Sequence, residues 1–152
     1  MGSSKILVTG CAGFIGMHLC KSLLDNRSIV VGIDNMNNYY DRILKKARLK
    51  RLAAYNNFTF ENLDLEDYDS LIDVFNRCKP EKVVNLAAQA GVRYSLKNPH
   101  EYIRTNVTGF LNVLECCREQ NTQGLIYASS SSVYGNNNKH PFSVQDSVNN
   151  PI

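Results

Sequence analysis

The sequence predicts an α/β protein built on a doubly wound parallel sheet, and three observations carry that expectation. Five short β-rich runs alternate with longer amphipathic stretches. A glycine-punctuated turn, Gly10-Cys11-Ala12-Gly13-Phe14-Ile15-Gly16, stands between the first run and the first helix. An acid, Asp34, closes the second run. Each crossover helix has to return the chain to the same edge, so the strands pair in parallel. Right-handed crossovers then leave the doubly wound sheet as the leading topology.

Ile6-Leu7-Val8 reads as a buried strand, and the turn after it opens a helix with Ile15, Leu19 and Leu23 at spacings of four. The second strand covers positions 29–33. Asp41 offers a carboxylate to cap the next helix. In that helix Lys45, Lys46, Arg48, Lys50 and Arg51 alternate with Leu44, Ala47, Leu49 and Leu52, the pattern of a solvated basic face. Phe58-Thr59-Phe60 begins a third strand that leads into Asn62-Leu63-Asp64-Leu65. Tyr68, Leu71, Ile72 and Phe75 stripe the following helix, and Val83-Val84-Asn85-Leu86 is the fourth strand.

Asn98-Pro99-His100-Glu101 has the layout of a helix start: Asn98 caps, the proline takes the first turn, and Glu101 sits at the capping-box position. Ile103, Val107, Phe110, Leu111, Leu114 and Cys117 carry that helix to about Arg118. Positions 124–128 form the fifth strand, followed by four serines. Beyond Gly135 the chain turns polar and ends on Asn149-Asn150-Pro151-Ile152. Residues 1–4 are read as an N-terminal tail or tag remnant, and residues 5–152 as one α/β domain that breaks off after its fifth strand.

Composition bounds the function. At 152 residues, 43% hydrophobic and 20% charged, the chain has the make-up and length of one globular domain. No apolar run approaches the roughly 20 residues that span a bilayer, so no membrane partner is expected. A net charge of +3 is too small to argue for nucleic acid. Cys11, Cys20, Cys78, Cys116 and Cys117 form no C-x-x-C pair and have no histidines at metal-ligand spacing. No metal site is expected, and the thiols suit a reducing, cytoplasmic setting.

The glycine turn carries the first chemistry. Gly10 allows the sharp turn, Gly13 lets the backbone approach a pyrophosphate, and Gly16 lets the helix pack closely on the sheet. Amides at the helix start, with the positive end of its dipole, then hold the diphosphate. Asp34 follows Gly16 by 18 residues, close to the ~20 expected of a ribose-binding acid. Its carboxylate accepts from both ribose hydroxyls and repels a 2′-phosphate, which selects NAD over NADP. Asp64 is placed to meet the adenine amine, with Leu65 offering its backbone.

The three glycines, Asp34, Asp64-Leu65, Leu86-Ala87-Ala88 and the run from Ser129 to Gly135 resemble the extended short-chain dehydrogenase/reductase family, the NAD-dependent epimerases and dehydratases built on the Rossmann fold. Two segments, Asp34-Asn35-Met36-Asn37-Asn38-Tyr39-Tyr40-Asp41 and Ala87-Ala88-Gln89-Ala90-Gly91-Val92-Arg93-Tyr94-Ser95, are similar to the UDP-glucuronate 4-epimerases within it. Cys11 stands where alanine is usual and Asn85 where histidine is usual. The resemblance implies cofactor contacts from Phe14, Ile15, Asn35, Leu86, Ala87 and Ala88 as well, and makes residues 5–152 an incomplete NAD-binding Rossmann domain with the C-terminal substrate domain absent.

It also implies a mechanism. A Tyr/Lys pair and a nearby hydroxyl residue take the proton from the sugar 4-hydroxyl while hydride passes to NAD; the 4-keto sugar rotates, and hydride returns to its other face. The hydroxyl residue lies three before the valine of Val133-Tyr134-Gly135, which is Ser130. Related 4,6-dehydratases carry an Asp-Glu pair at the next two positions, where this chain has Ser131 and Ser132. Serines cannot serve as general acid and base at neutral pH. They can donate to a uronate carboxylate without repelling it. Arg93 is a candidate for the substrate's anionic groups.

The family's Tyr-x-x-x-Lys places an ammonium one helical turn from the phenol. None of the eight tyrosines here has lysine four positions later. The chain alone is therefore expected to bind NAD, less tightly than a whole enzyme, and not to turn over a UDP-sugar. The full-length protein is expected to be a homodimer that pairs two helices per subunit, one of them the stretch from Pro99 to Arg118. Two other readings stay open: a non-catalytic NAD-sensing or partner-binding module, and a 4-epimerase of UDP-hexose or UDP-N-acetylhexosamine.

Overall fold

In a computed structural model of the chain, residues 4–151 are described. The β-rich runs become five strands: β1 (Lys5–Thr9), β2 (Ile29–Ile33), β3 (Phe58–Glu61), β4 (Lys82–Asn85) and β5 (Gly124–Tyr127). All pair in parallel, in the order β3-β2-β1-β4-β5. The chain winds outward from β1 on one side and then outward on the other, so the order reverses between β1 and β4. Such a switch point leaves a crevice at the carboxyl ends of the strands.

Period two along each strand sends alternate side chains to two separate cores. Ile6, Val8 and Val30 pack on one face with Met17, Cys20 and Leu24 of α1 (Phe14–Asp25) and Leu52 of α2 (Arg42–Leu52). Leu7, Val31 and Ile33 pack on the other with Leu71, Val74 and Phe75 of α3 (Tyr68–Cys78) and Val113 and Cys116 of α6 (Phe110–Glu119). Local chemistry sets the helix starts. The Asp41 carboxylate accepts from the Ile43 amide at 2.7 Å, and Asp67 accepts from Ser70 at 3.1 Å.

Three departures from the sequence reading have physical causes. β3 stops at Glu61, because Leu65 turns into the α3 core and Leu63 packs against it instead of continuing the ladder. Asn98 makes no side-chain cap, and the reciprocal reach of Glu101 is lost because the Asn98 amide is already given to the Tyr94 carbonyl at 3.0 Å while Glu101 pairs with Arg104. The expected single helix is interrupted. One-turn α4 (Val92–Ser95) and α5 (Pro99–Tyr102) lead into a π-helical stretch, Ile103–Gly109, before α6. Among the described residues no helix is long and apolar enough to cross a membrane, and no cluster of three metal-binding side chains occurs.

The five cysteines are all free. Burial pushes the Cys20 thiol up to about 12, and burial together with neighbouring Cys20 and Asp34 raises Cys11. Thiols held protonated and away from solvent react slowly. Iodoacetamide at pH 8 is expected to spare Cys11 and Cys20 in the native chain and to modify both in urea, as read by peptide mass spectrometry. Rapid native labelling of either would show that the α1 core opens.

Candidate functional site

A cleft of about 670 Å³ lies at the carboxyl ends of the strands, with the glycine turn on one side and the segment after β4 on the other. Its lining includes Gly10, Gly13, Phe14, Ile15, Gly16, Asp34, Asn35, Asp64, Leu65, Leu86, Ala87 and Ala88, so the topology brings these distant positions together.

Gly10 has φ +69°, and a Cβ there would stand 2.9 Å from the Ala87 amide nitrogen. The turn can thus press against the start of the segment after β4 only because residue 10 has no side chain. A Cβ on Gly16 would collide with the Gly10 carbonyl, which keeps the first turn of α1 tight on the loop. Gly13 donates to the Gly10 carbonyl at 3.0 Å, and α1 begins at Phe14. Among the described residues the amides of Phe14, Ile15 and Gly16 find no acceptor. These amides, at the positive end of a 12-residue helix, form an anion-binding edge facing the cleft.

Asp34, which lines the same cleft beside the glycine turn, is 7% exposed and accepts three hydrogen bonds. Oδ2 takes the Ala12 amide at 3.2 Å; Oδ1 takes the Met36 amide at 2.9 Å and the Lys45 ammonium at 3.2 Å. Lys45 is 6% exposed and also donates to Asn37 at 3.2 Å. The expectation of a wholly solvated basic face on α2 is corrected here. Lys45 faces the interior because it shares a helix face with Leu49 and Leu52, four and seven positions on. The buried Asp34 carboxylate supplies the counter-charge that lets it stay there. Half-buried Arg48, on the same face, donates to the Ala12 carbonyl at 3.2 Å and lines the cleft.

Several positioning residues carried no signal in the sequence reading. The Thr9 hydroxyl donates to buried Asn85 at 2.6 Å and accepts from the Leu86 and Ala87 amides, both at 3.1 Å. It therefore ties the ends of β1 and β4 together behind the cleft. Asn106, inside the π-helical stretch, accepts from the Gln89 amide at 2.8 Å and donates to its carbonyl at 3.0 Å. That two-point clamp fixes the loop after β4. Asn35 and Asp64, both already cofactor candidates, are joined by a hydrogen bond that Asn35 donates at 2.8 Å, and Asn112 donates to the Leu65 carbonyl at 2.8 Å.

The serine run and Arg93 lie elsewhere. Ser130, Ser131 and Ser132 are exposed, beyond Ala128, where the cleft lining ends. Ser130 precedes a 3₁₀ turn, Ser131–Tyr134, and its Oγ accepts from the Ser132 amide at 3.2 Å. Arg93 is exposed on α4 and lines a separate recess of about 460 Å³ with Tyr39, Tyr94 and Lys97. Tyr39 borders both recess and cleft.

A parallel sheet that reverses beside a glycine turn, with open helix-start amides and a buried acid lining one cleft, defines a Rossmann-fold nucleotide-binding domain. The chain belongs to the family described as GDP-mannose 4,6 dehydratase, which it matches over residues 7–151. It is 55% identical to Protein CapI of Staphylococcus aureus over 97% of its own length and 44% of that protein's. The Bacillus cereus UDP-glucuronic acid 4-epimerase, solved with UDP-glucuronic acid and NAD, superposes with a TM-score of 0.85 and 36% identity. That match covers 97% of this chain and 46% of the epimerase. The UDP-Glc/GlcNAc 4-epimerase of Campylobacter jejuni superposes with a TM-score of 0.86 at 29% identity, over 99% of this chain and 44% of that one. The chain therefore spans less than half the length of these relatives.

Proposed function

We propose that this chain is the NAD-binding portion of a cytoplasmic nucleotide-sugar 4-epimerase that interconverts UDP-glucuronate and UDP-galacturonate. One observation carries the cofactor part: the open amides of Phe14, Ile15 and Gly16 and the buried Asp34 carboxylate line a single cleft. The amides fit a diphosphate, and Asp34 fits the adenosine ribose hydroxyls. Asp64 and Leu65 serve the adenine, and Leu86 to Ala88 wall the nicotinamide half. NAD held there would supply the acceptor and donor of a hydride at the sugar's C4.

The remaining roles fall to side chains outside the cleft lining. Ser130 holds the sugar 4-hydroxyl, which orients the proton that must leave. Ser131 and Ser132 offer neutral donors to a uronate carboxylate, and Arg93 offers a cation. The similarity to the Bacillus cereus enzyme supports this substrate. The similarity to the Campylobacter jejuni enzyme favours a neutral UDP-hexose as the second reading. The whole protein is proposed to act as a homodimer.

The 152 residues contain no Tyr-x-x-x-Lys to activate that proton transfer. The purified chain is therefore expected to give calorimetric heat and a melting shift with millimolar NAD, yet no conversion of UDP-glucuronate by NMR. Neither heat nor shift would sink the cofactor assignment. Rapid conversion would show that another base in this chain does the work.

A further inference from the structure

We propose that Tyr39 is the bolt of a strap that shuts the cleft over a bound dinucleotide, with Gly91 and Tyr94 as its catch. This strap rests on the dinucleotide reading above and adds to it a gate on the cofactor's exit. In the sheet β2 and β4 lie on opposite sides of β1, whose carboxyl end carries the glycine turn. Tyr39 belongs to the loop after β2 and Gly91 to the loop after β4, so their contact spans the mouth of the cleft from one side to the other. A dinucleotide takes the same course, with its adenosine at the β2 side and its nicotinamide at the β4 side. The strap therefore runs along the length of the ligand.

The catch is fixed and the bolt is free to swing. Tyr102 donates its hydroxyl to the Ala90 carbonyl at 2.8 Å and to the Gly91 carbonyl at 2.5 Å. Together with the Asn106 clamp on Gln89, these bonds pin three consecutive residues of the loop after β4. Gly91 has φ +96°, and a Cβ there would collide with the Tyr39 hydroxyl, so this residue is a notch that only glycine leaves open. The Tyr94 ring closes the notch, its centroid 4.8 Å from that of Tyr39. Packing alone holds the bolt: among the described residues no acceptor takes the Tyr39 hydroxyl. Ring contacts part without leaving a hydrogen bond broken, and each is worth little by itself. Tyr39 borders the cleft on one side and the open recess on the other, which gives it room to move.

Stopped-flow fluorescence tests the strap by following NADH release into excess NAD, and etheno-adenosine 5′-phosphate release into excess adenosine 5′-phosphate. The monophosphate fills only the β2 half of the cleft and is not shut in at the β4 side. Circular dichroism follows folding. Tyr39→Ala and Tyr94→Ala are each expected to speed NADH release about tenfold, since each removes the same ring contact. The double variant should then be no faster than either single one. Release of the monophosphate should change by less than about twofold in all three. Tyr39→Phe keeps the ring and should hold NADH as long as the wild type does. An unchanged rate in a folded Tyr39→Ala overturns the proposal, as does a Tyr39→Phe as fast as Tyr39→Ala. Multiplied effects in the double variant, or a monophosphate that quickens in step with NADH, overturn it too. Should Tyr39→Ala not fold, Tyr94→Ala decides the same contact from its other side. None of these results removes NAD binding, whereas a wild type that binds no NADH removes the dinucleotide reading itself.

Discussion

Gly10→Ala is expected to lower the unfolding free energy by about 3 kcal/mol and to abolish NAD binding at millimolar cofactor. The left-handed backbone at φ +69° costs an L-residue about 1–2 kcal/mol. The added Cβ would also meet the Ala87 amide at 2.9 Å and the Leu86 carbonyl carbon at 3.0 Å. Both are backbone atoms, so relief requires β1 and β4 to separate at the point that Thr9 holds together. That separation strips two amides of their acceptor and displaces the helix-start amides from Asp34. Gly124→Ala is the control, because a Cβ there meets nothing within 4 Å; it should stay within about 0.5 kcal/mol of wild type. Urea unfolding with NAD titration reads both effects. A Gly10→Ala chain as stable as Gly124→Ala would mean that the turn relaxes elsewhere.

Lys45→Met is expected to cost about 3 kcal/mol, since removing one partner of a buried pair leaves an uncompensated charge. Asp34 keeps its two amide donors, so its carboxylate is not wholly orphaned and the loss falls at the lower end of the range for buried pairs. Lys46→Met, one position along on the exposed face, should change stability by no more than about 0.5 kcal/mol. Equal effects from the two substitutions would return Lys45 to the solvated face.

That contrast also marks where the sequence was legible. Strand and helix types followed from period: Leu7 between Ile6 and Val8 serves the opposite core, as alternation requires. The twelve cofactor candidates line one cleft because each sits at a strand end or helix start, where topology alone decides the neighbourhood. Lys45 is the exception, because its charge points to the surface while its place on the helix points to the interior. The helical spacing from Lys45 to Leu49 and Leu52 was available, but its counter-ion lies 11 residues back on another element. The Asn106 clamp and the π-helical stretch around it were out of reach, since both depend on a partner 17 residues away whose placement no local pattern announces. Boundaries slipped where an apolar residue such as Leu65 serves packing instead of pairing.

The strand order has a consequence for how the chain comes together during synthesis. Leu7 meets Val31, 24 positions on, and Val83, 76 positions on. Closing the longer loop costs about 1 kcal/mol more in chain entropy. The β1-β2-β3 half can therefore assemble while β4 is still inside the ribosome, with one flank of β1 waiting. Until β4 arrives, the Thr9 hydroxyl and the glycine turn have nothing to lean on. The cleft is consequently among the last features to take shape, although the glycine turn that supplies its open-amide edge ends at residue 16.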